Sequence, residues 1–357
     1  MRHMRNAAPM LVMMLLTAAA PGTARSESWH EESTRSIPIE GVRSLRIENA
    51  RGQVSVTRSS ASEIQLSALK VVRSNDEKWA KRVSAETRVV AENRGGEYTV
   101  RVMYPQRQTV KIRFWDLFSD FELPRVEIRL ALDVPDGIPV TLKSTSGDLT
   151  STGIRSPQLI ESTSGDLSVT DARAVRANTT SGDVHVVDCG TVSVRTVSGD
   201  LVADRMRGAL SVMTTSGNVR VRESADSLSV STTSGDITVD SAPLGIDAGT
   251  SSGEVSIGKA AGRITIESAS GDVSVGLQSP ISRSRIETTN GTVALKLMGT
   301  IACVLDLETS NGEIKIDVPL EVKNVTRHQL KAVVRKGTLP ISVRTASGDI
   351  SISEGAR

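Results

Sequence analysis

At 357 residues the chain is long enough for one large or two ordinary domains. A content of 38% hydrophobic and 24% charged residues is that of a globular protein and excludes a disordered one. A net charge of +2 gives no electrostatic case for nucleic acid, and aromatics at 2% are few for a protein that grips sugars or bases by stacking.

Residues 1–24 read as a secretory signal peptide. Arg2 and Arg5 supply the positive region, and "MLVMMLLTAAA" (10–20) is an apolar core too short to span a bilayer comfortably. Gly22 and Ala24 fit the small-x-small rule for cleavage after Ala24; an uncleaved anchor is the alternative. The mature protein is expected to be exported, to the periplasm or to the cell surface, and not to span the membrane.

Residues 37–140 read as an N-terminal β region. "SLRIENARGQVSVTRSSASEIQLSA" (44–68) places Leu45, Val54 and Ile64 nine or ten apart, with Gly52 at a turn. "SNDEKWAKRVSAE" (74–86) predicts a short helix near 75–86, with Asn75 or Asp76 as cap and Trp79 and Val83 one turn apart. "YTVRVMY" and "RVEIRLALDVP" alternate like strands. Between them lies an insert unlike the rest: residues 104–121 hold five of the eight aromatics of the chain. Phe114, Trp115, Phe118 and Phe121 are candidate partner-binding residues, with a cap over one end of the fold as the alternative role.

Residues 141–357 are a repeat, taken as continuous with the N-terminal part. A glycine anchor recurs at Gly147, Gly165, Gly182, Gly199, Gly217, Gly235, Gly253, Gly271, Gly291, Gly312 and Gly348. The period is about 18 residues, and the final gap is two periods wide. Inside it runs a period of nine: Leu210, Val219, Leu228, Ile237, Ile246, Val255, Ile264 and Val273, each followed two residues later by another apolar residue. Apolar-x-apolar is a short strand with one buried face, and the residues between are turn formers. The expected fold is all-β: a single-stranded-repeat β-solenoid, parallel β-helix-like, with two short strands per coil. One coil cannot bury its own apolar face, so stacking must do so.

Columns follow from stacking. The residue three before each glycine is always Ser or Thr, and strand parity turns it inward, where it is expected to bond along the column and to turn backbone. The residue after each glycine is Asp in seven copies. Such a column suggests calcium or, more simply, carboxylates that accept N–H groups of their own turns. One carboxylate per coil, without a second ligand in the other half, argues against metal, and His3, His30, His185 and His328 show no ligand spacing. "GTSSG" (249–253) matches the nucleophile-elbow pattern, but only as one degenerate copy of the repeat. Outward threonine columns of the ice-binding kind are not uniform here. No catalytic residue, cofactor or metal is expected. Cys189 and Cys303 stand six coils apart, about 30 Å by the stacking distance, beyond disulfide reach.

"IETTNGTVALKL", "LDLETSNGEIKIDVP", "LPISVRTASGDISI", the many "TSGD" copies and "LDVPDGIPV" together resemble the bacterial "putative adhesin" domain-of-unknown-function family, over residues 37–353. The resemblance implies an exported Ser/Gly/Asp-rich β-solenoid. The expected function is a non-enzymatic adhesin-like, envelope-structural or binding scaffold whose partner is an envelope protein or surface glycan. The alternatives are an envelope-signalling partner that docks a membrane protein through the aromatic insert, and a polysaccharide-acting enzyme, as many β-helices are.

Overall fold

The computed structural model describes residues 11–13, 27–74, 77–105 and 125–355. Chain contacts divide it into two compact units, Met1–Gly165 and Asp166–Arg357. Both are built from two sheets, and no helix among the described residues is long and apolar enough to cross a membrane.

In the first unit the coil begins at Ser44–Arg51, turns at Gly52 and continues through Val54–Ser59. These strands lie parallel to Val140–Ser146 and Leu149–Thr152 of the next coil, with Leu45 opposite Val140 and Val54 opposite Leu149. Ile64 departs from the expected nine-residue series. It belongs to Glu63–Ser74, a long strand that pairs antiparallel with Glu27–Pro38 and Arg125–Pro135. The antiparallel strands form one end of the unit's sheet, and Leu11–Met13, inside the expected leader, pairs antiparallel with Glu27–Pro38.

The helix forms at Glu77–Glu86; its proposed caps Asn75 and Asp76 lie outside the described residues. Ala80 and Val83 face inward onto Val72 and Val126, with Trp29, Trp79 and Tyr104 around them. A polar clamp fixes the same contact: Lys70 Nζ reaches Glu31 at 3.0 Å and the Ser84 carbonyl at 2.8 Å. The helix thus covers strand residues that no further coil buries.

In the second unit the predicted period is read out directly. Leu228 pairs with Ile246 and Ile237 with Val255, each 18 positions on, in parallel register. Every member of the nine-residue series from Leu210 to Val273 is buried. β-branched and leucine side chains fill both inner faces because only these positions point inward on a two-residue alternation. At about 1.5–3 kcal/mol for each large apolar side chain removed from water, the several such residues in one coil make stacking the main source of stability.

The end of this unit departs from the sequence order. A gap of 36 residues between Gly312 and Gly348 predicts two coils in line. Instead Pro340–Ser347 lies between Ser284–Asn290 and Cys303–Asn311. Its companion Ile350–Gly355 lies between Val293–Met298 and Ile314–Asp317. The coil at 303–317 is outermost, and the segment that follows it in sequence is inserted beneath it. The intervening residues form a hairpin, Glu321–Val325 with Gln329–Val334, which pairs antiparallel along Cys303–Asn311 and covers that edge.

Candidate functional site

The glycine anchors sit at one corner of each coil, stacked one on the next. Gly235 has φ near 149°, and a Cβ added there would lie 2.2 Å from the carbonyl oxygen of Gly217. No side chain fits so close an approach, which is why the anchor is always glycine.

The residue after each glycine forms a ladder between coils. The N–H of Asp200 donates to Asp183 Oδ1 at 2.9 Å, that of Asn218 to Asp200 Oδ1 at 2.8 Å, that of Asp236 to Asn218 Oδ1 at 2.9 Å, and that of Glu254 to Asp236 Oδ1 at 2.8 Å. The acceptor therefore serves the neighbouring coil and not its own turn, which corrects the sequence-based expectation. Asn218 takes the same place as an aspartate, so the column needs a short side chain with an oxygen more than it needs charge. In Asp349 the bond from the Glu313 N–H, followed by Lys315 nearby, holds the carboxyl below its usual range. No group of three or more His, Cys, Asp or Glu at metal-holding distance occurs among the described residues.

The Ser/Thr column faces inward as expected, with Thr179 through Thr345 buried in the second unit. Its bonding differs from a hydroxyl ladder. Thr179 and Thr196 donate to carbonyls of their own turns, Ser181 and Ser198. Thr309 and Thr345 donate to the glycine carbonyls of neighbouring coils, Gly348 and Gly291. The hydroxyls of Ser144, Thr214, Thr232, Ser268 and Thr288 have no partner.

Beside this corner the outer face is concave. In the second unit the concavity is a groove of about 910 Å³. Its floor includes Thr232, Thr250, Ser268, Thr288 and Thr345, its charged wall Glu267, Arg285, Glu287, Glu308 and Arg344. Most of its lining comes from the positions four, three and two before each glycine, and in the first unit the same three columns form a groove of about 500 Å³, lined by Glu48, Asn49, Lys143, Ser144, Glu161 and Ser162 among others. The wall charges are paired across neighbouring strands. Arg101 meets Glu48 at 2.6 Å, Lys143 meets Glu161 at 2.5 Å, and Arg344 lies 3.5 Å from Glu308 and 3.8 Å from Glu287. Ser251 lines the second groove at the exposed end of the strand Ile246–Ser252, which leads into the glycine corner and not into a helix. The grooves escaped the sequence reading. Their signal was the charged residue four before many of the glycines, which gains meaning only once the stacking is known.

Phe114, Trp115, Phe118 and Phe121 lie outside the described residues. The root of their segment is described. The Tyr104 hydroxyl is 2.8 Å from Asn49 Oδ1 and also bonds the Arg51 carbonyl, and burial pushes its pKa up to about 12. The Arg51 guanidinium sits 5.9 Å from the ring centre. Cys189 and Cys303 are free, buried thiols, and burial pushes Cys303 up to about 11. A thiol so placed is inert as a nucleophile.

A family model described as Toastrack DUF4097 matches residues 31–244 and 224–353. Among proteins of curated function none matches the sequence. Several solved structures are similar. One is a "putative adhesin" from Parabacteroides distasonis, at 9% identity and a TM-score of 0.43, covering 73% of this chain and 96% of that one. A second, from Bacteroides fragilis, is at 11% identity and a TM-score of 0.27, with 91% and 97% covered. A "putative cell adhesion protein" from Clostridium sporogenes is at 8% identity and a TM-score of 0.24, with 91% and 100% covered.

Proposed function

The chain belongs to the Toastrack DUF4097 family, and from that premise we propose that it is an exported, non-catalytic binding scaffold, adhesin-like in role, which holds an extended, hydroxyl-rich envelope glycan along its corner groove. The observation that supports this reading is the recurrence of one groove, from the same three columns, in both units. A groove made by stacked coils presents Glu267, Glu287, Arg344 and Glu308 on successive strands, about 4.8 Å apart, which suits a polymer and not a compact substrate. Exposed Arg and Glu can bond sugar hydroxyls without aromatic platforms. Contacts of this kind are individually weak and add up along the chain.

The test is binding of purified envelope glycan by the full chain, measured against a variant with Glu267, Glu287 and Arg344 changed to Ala. These residues are exposed or half-buried, so folding should survive. A loss of at least about tenfold in affinity is expected, the equivalent of about 1.4 kcal/mol. Equal binding by the two proteins would sink the reading.

The aromatic insert supports a second role, docking of an envelope protein. Five of the eight aromatics fall within 104–121, and its root Tyr104 is pinned beside the first coil. Changing Phe114 and Trp115 to Ala should abolish capture of a protein partner and leave glycan binding unchanged.

A further inference from the structure

The C-terminal strand pair, Pro340–Ser347 and Ile350–Gly355, fills a slot that the rest of the second unit leaves open. Ser284–Asn290 and Cys303–Asn311 form the slot's sides in one sheet, Val293–Met298 and Ile314–Asp317 in the other. Inserted Ile341, Val343, Ile350 and Ile352 are buried completely or nearly so, as are Ile286, Leu305 and Leu307 around them. An empty slot would expose two apolar layers and four strand edges, so it must hold a strand pair of this pattern.

Among the described residues only 335–339 join the pair to what precedes it, and this connection is strained. The Gly337 N–H donates to the Val334 carbonyl at 3.0 Å, closing a tight turn. Its two central residues, Arg335 and Lys336, have φ of 51° and 56°. Two consecutive left-handed residues are the turn that Asn-Gly adopts readily, and Arg-Lys does not. Gly337 is pressed so close that a Cβ there would lie 1.9 Å from the backbone nitrogen of Cys303. Opening the turn relieves both left-handed residues, and Leu339 already stands before a proline, which favours extended backbone.

We propose that two copies of this chain exchange these strand pairs, each filling the slot of the other. The buried contacts are the same in the exchanged dimer and in the single chain, so hinge strain and protein concentration decide between them. The exchange is isologous. Arg335, which reaches Glu354 at 2.7 Å and the Gly299 carbonyl at 2.9 Å, would then tie each hinge to the pair contributed by the other copy. Nothing in this inference depends on what the groove binds.

Asp306 and Ser342 are register partners on adjacent parallel strands, both partly exposed. The double variant Asp306→Cys with Ser342→Cys therefore reports exchange directly, because the native thiols are buried. Refolded dilute and oxidised, it should run as an intrachain-linked monomer on a non-reducing gel. Refolded concentrated, it should give a covalent dimer absent from either single-cysteine variant. Adding Lys336→Gly, which relaxes the turn and keeps the Arg335 contacts, should lower the dimer fraction at least roughly fivefold, the effect of relieving on the order of one such strained residue. Light scattering on the unmutated chain should show the same concentration-dependent dimer, whether or not the cysteine variant folds. An intrachain link at every concentration, or a dimer fraction indifferent to the hinge change, overturns the proposal.

Discussion

From Leu167 to Met298 the coils of the second unit stack in the order in which the chain makes them. From Cys303 to Gly355 they do not: the last strand pair in sequence is the last but one in space. The contacts at the glycine corner are nevertheless the same in both regions. A Cβ on Gly235 would meet the Gly217 carbonyl oxygen at 2.2 Å, one on Gly348 would meet that of Gly291 at 2.1 Å, and one on Gly312 would meet that of Gly348 at 2.0 Å. The ladder is also preserved, since Glu313 donates to Asp349 Oδ1 at 2.9 Å. Each coil responds to whichever coil lies beneath it, and sequence separation plays no part in the local rules.

The largest effect should come from breaking that stack. Gly235→Ala and Gly348→Ala each place a methyl inside a backbone contact at positive φ, and each should cost more than about 3 kcal/mol in urea unfolding. Gly299→Ala is the control. Its φ is 69°, but nothing lies within 4 Å of the added Cβ, so it should cost only about 1–2 kcal/mol for the left-handed conformation. If Gly348→Ala proved as mild as Gly299→Ala while Gly235→Ala did not, the inserted pair would not be held by the same corner as the regular coils.

The smaller effect of the ladder separates the two regions by charge. Asp236→Ala removes the acceptor for the Glu254 N–H at an exposed corner and should cost about 0.5–1 kcal/mol, while Asp236→Asn should be close to neutral, because Asn218 already serves in that place. Asp349 differs in having Lys315 beside it; the ladder bond from the Glu313 N–H first, and Lys315 after it, lower its pKa from the ordinary 3.8. A carboxyl depressed on folding contributes stability that is present above its unfolded pKa and lost as pH falls through the lower folded value. Acid unfolding of Asp349→Asn should therefore lack part of the wild-type decline below pH 3.8.

Most of the architecture was legible because burial and turning impose separate periods. Leu210, Leu228 and Ile246 are spaced by the coil, and the intervening Val219 and Ile237 by the half coil, so two sheets follow from one count. The helix was legible from Trp79 and Val83. The insertion was not, because "EIKID" (313–317) and "DISIS" (349–353) carry the same pattern and either would satisfy the coil below. Strand spacing says that a coil exists, and says nothing about which coil it lies on. The ladder misled for a related reason: Asp beside Gly suggests a local turn, and only stacking brings the next N–H closer than its own. The grooves depend on the relief of the outer face beside the glycine corner, which leaves no mark on hydrophobic alternation.

The Ser/Thr column should show an effect no larger than about that of the ladder, and the sharpest contrast. Thr309 is fully buried and donates to the Gly348 carbonyl at 2.9 Å, a bond made by the outermost coil to the inserted one. Thr232 is nearly as buried, and its hydroxyl has no partner. Valine has the same shape without the hydroxyl. Thr309→Val should lose about 1 kcal/mol, because the half-buried Gly348 carbonyl loses its hydroxyl donor. Thr232→Val deletes only a buried polar group without a bond, and it should be neutral or stabilise the fold by up to about 1 kcal/mol. Chemical denaturation of the two variants side by side decides the matter. Equal losses would mean that the Thr232 hydroxyl is bonded in solution, and that the column is uniform through both regions after all.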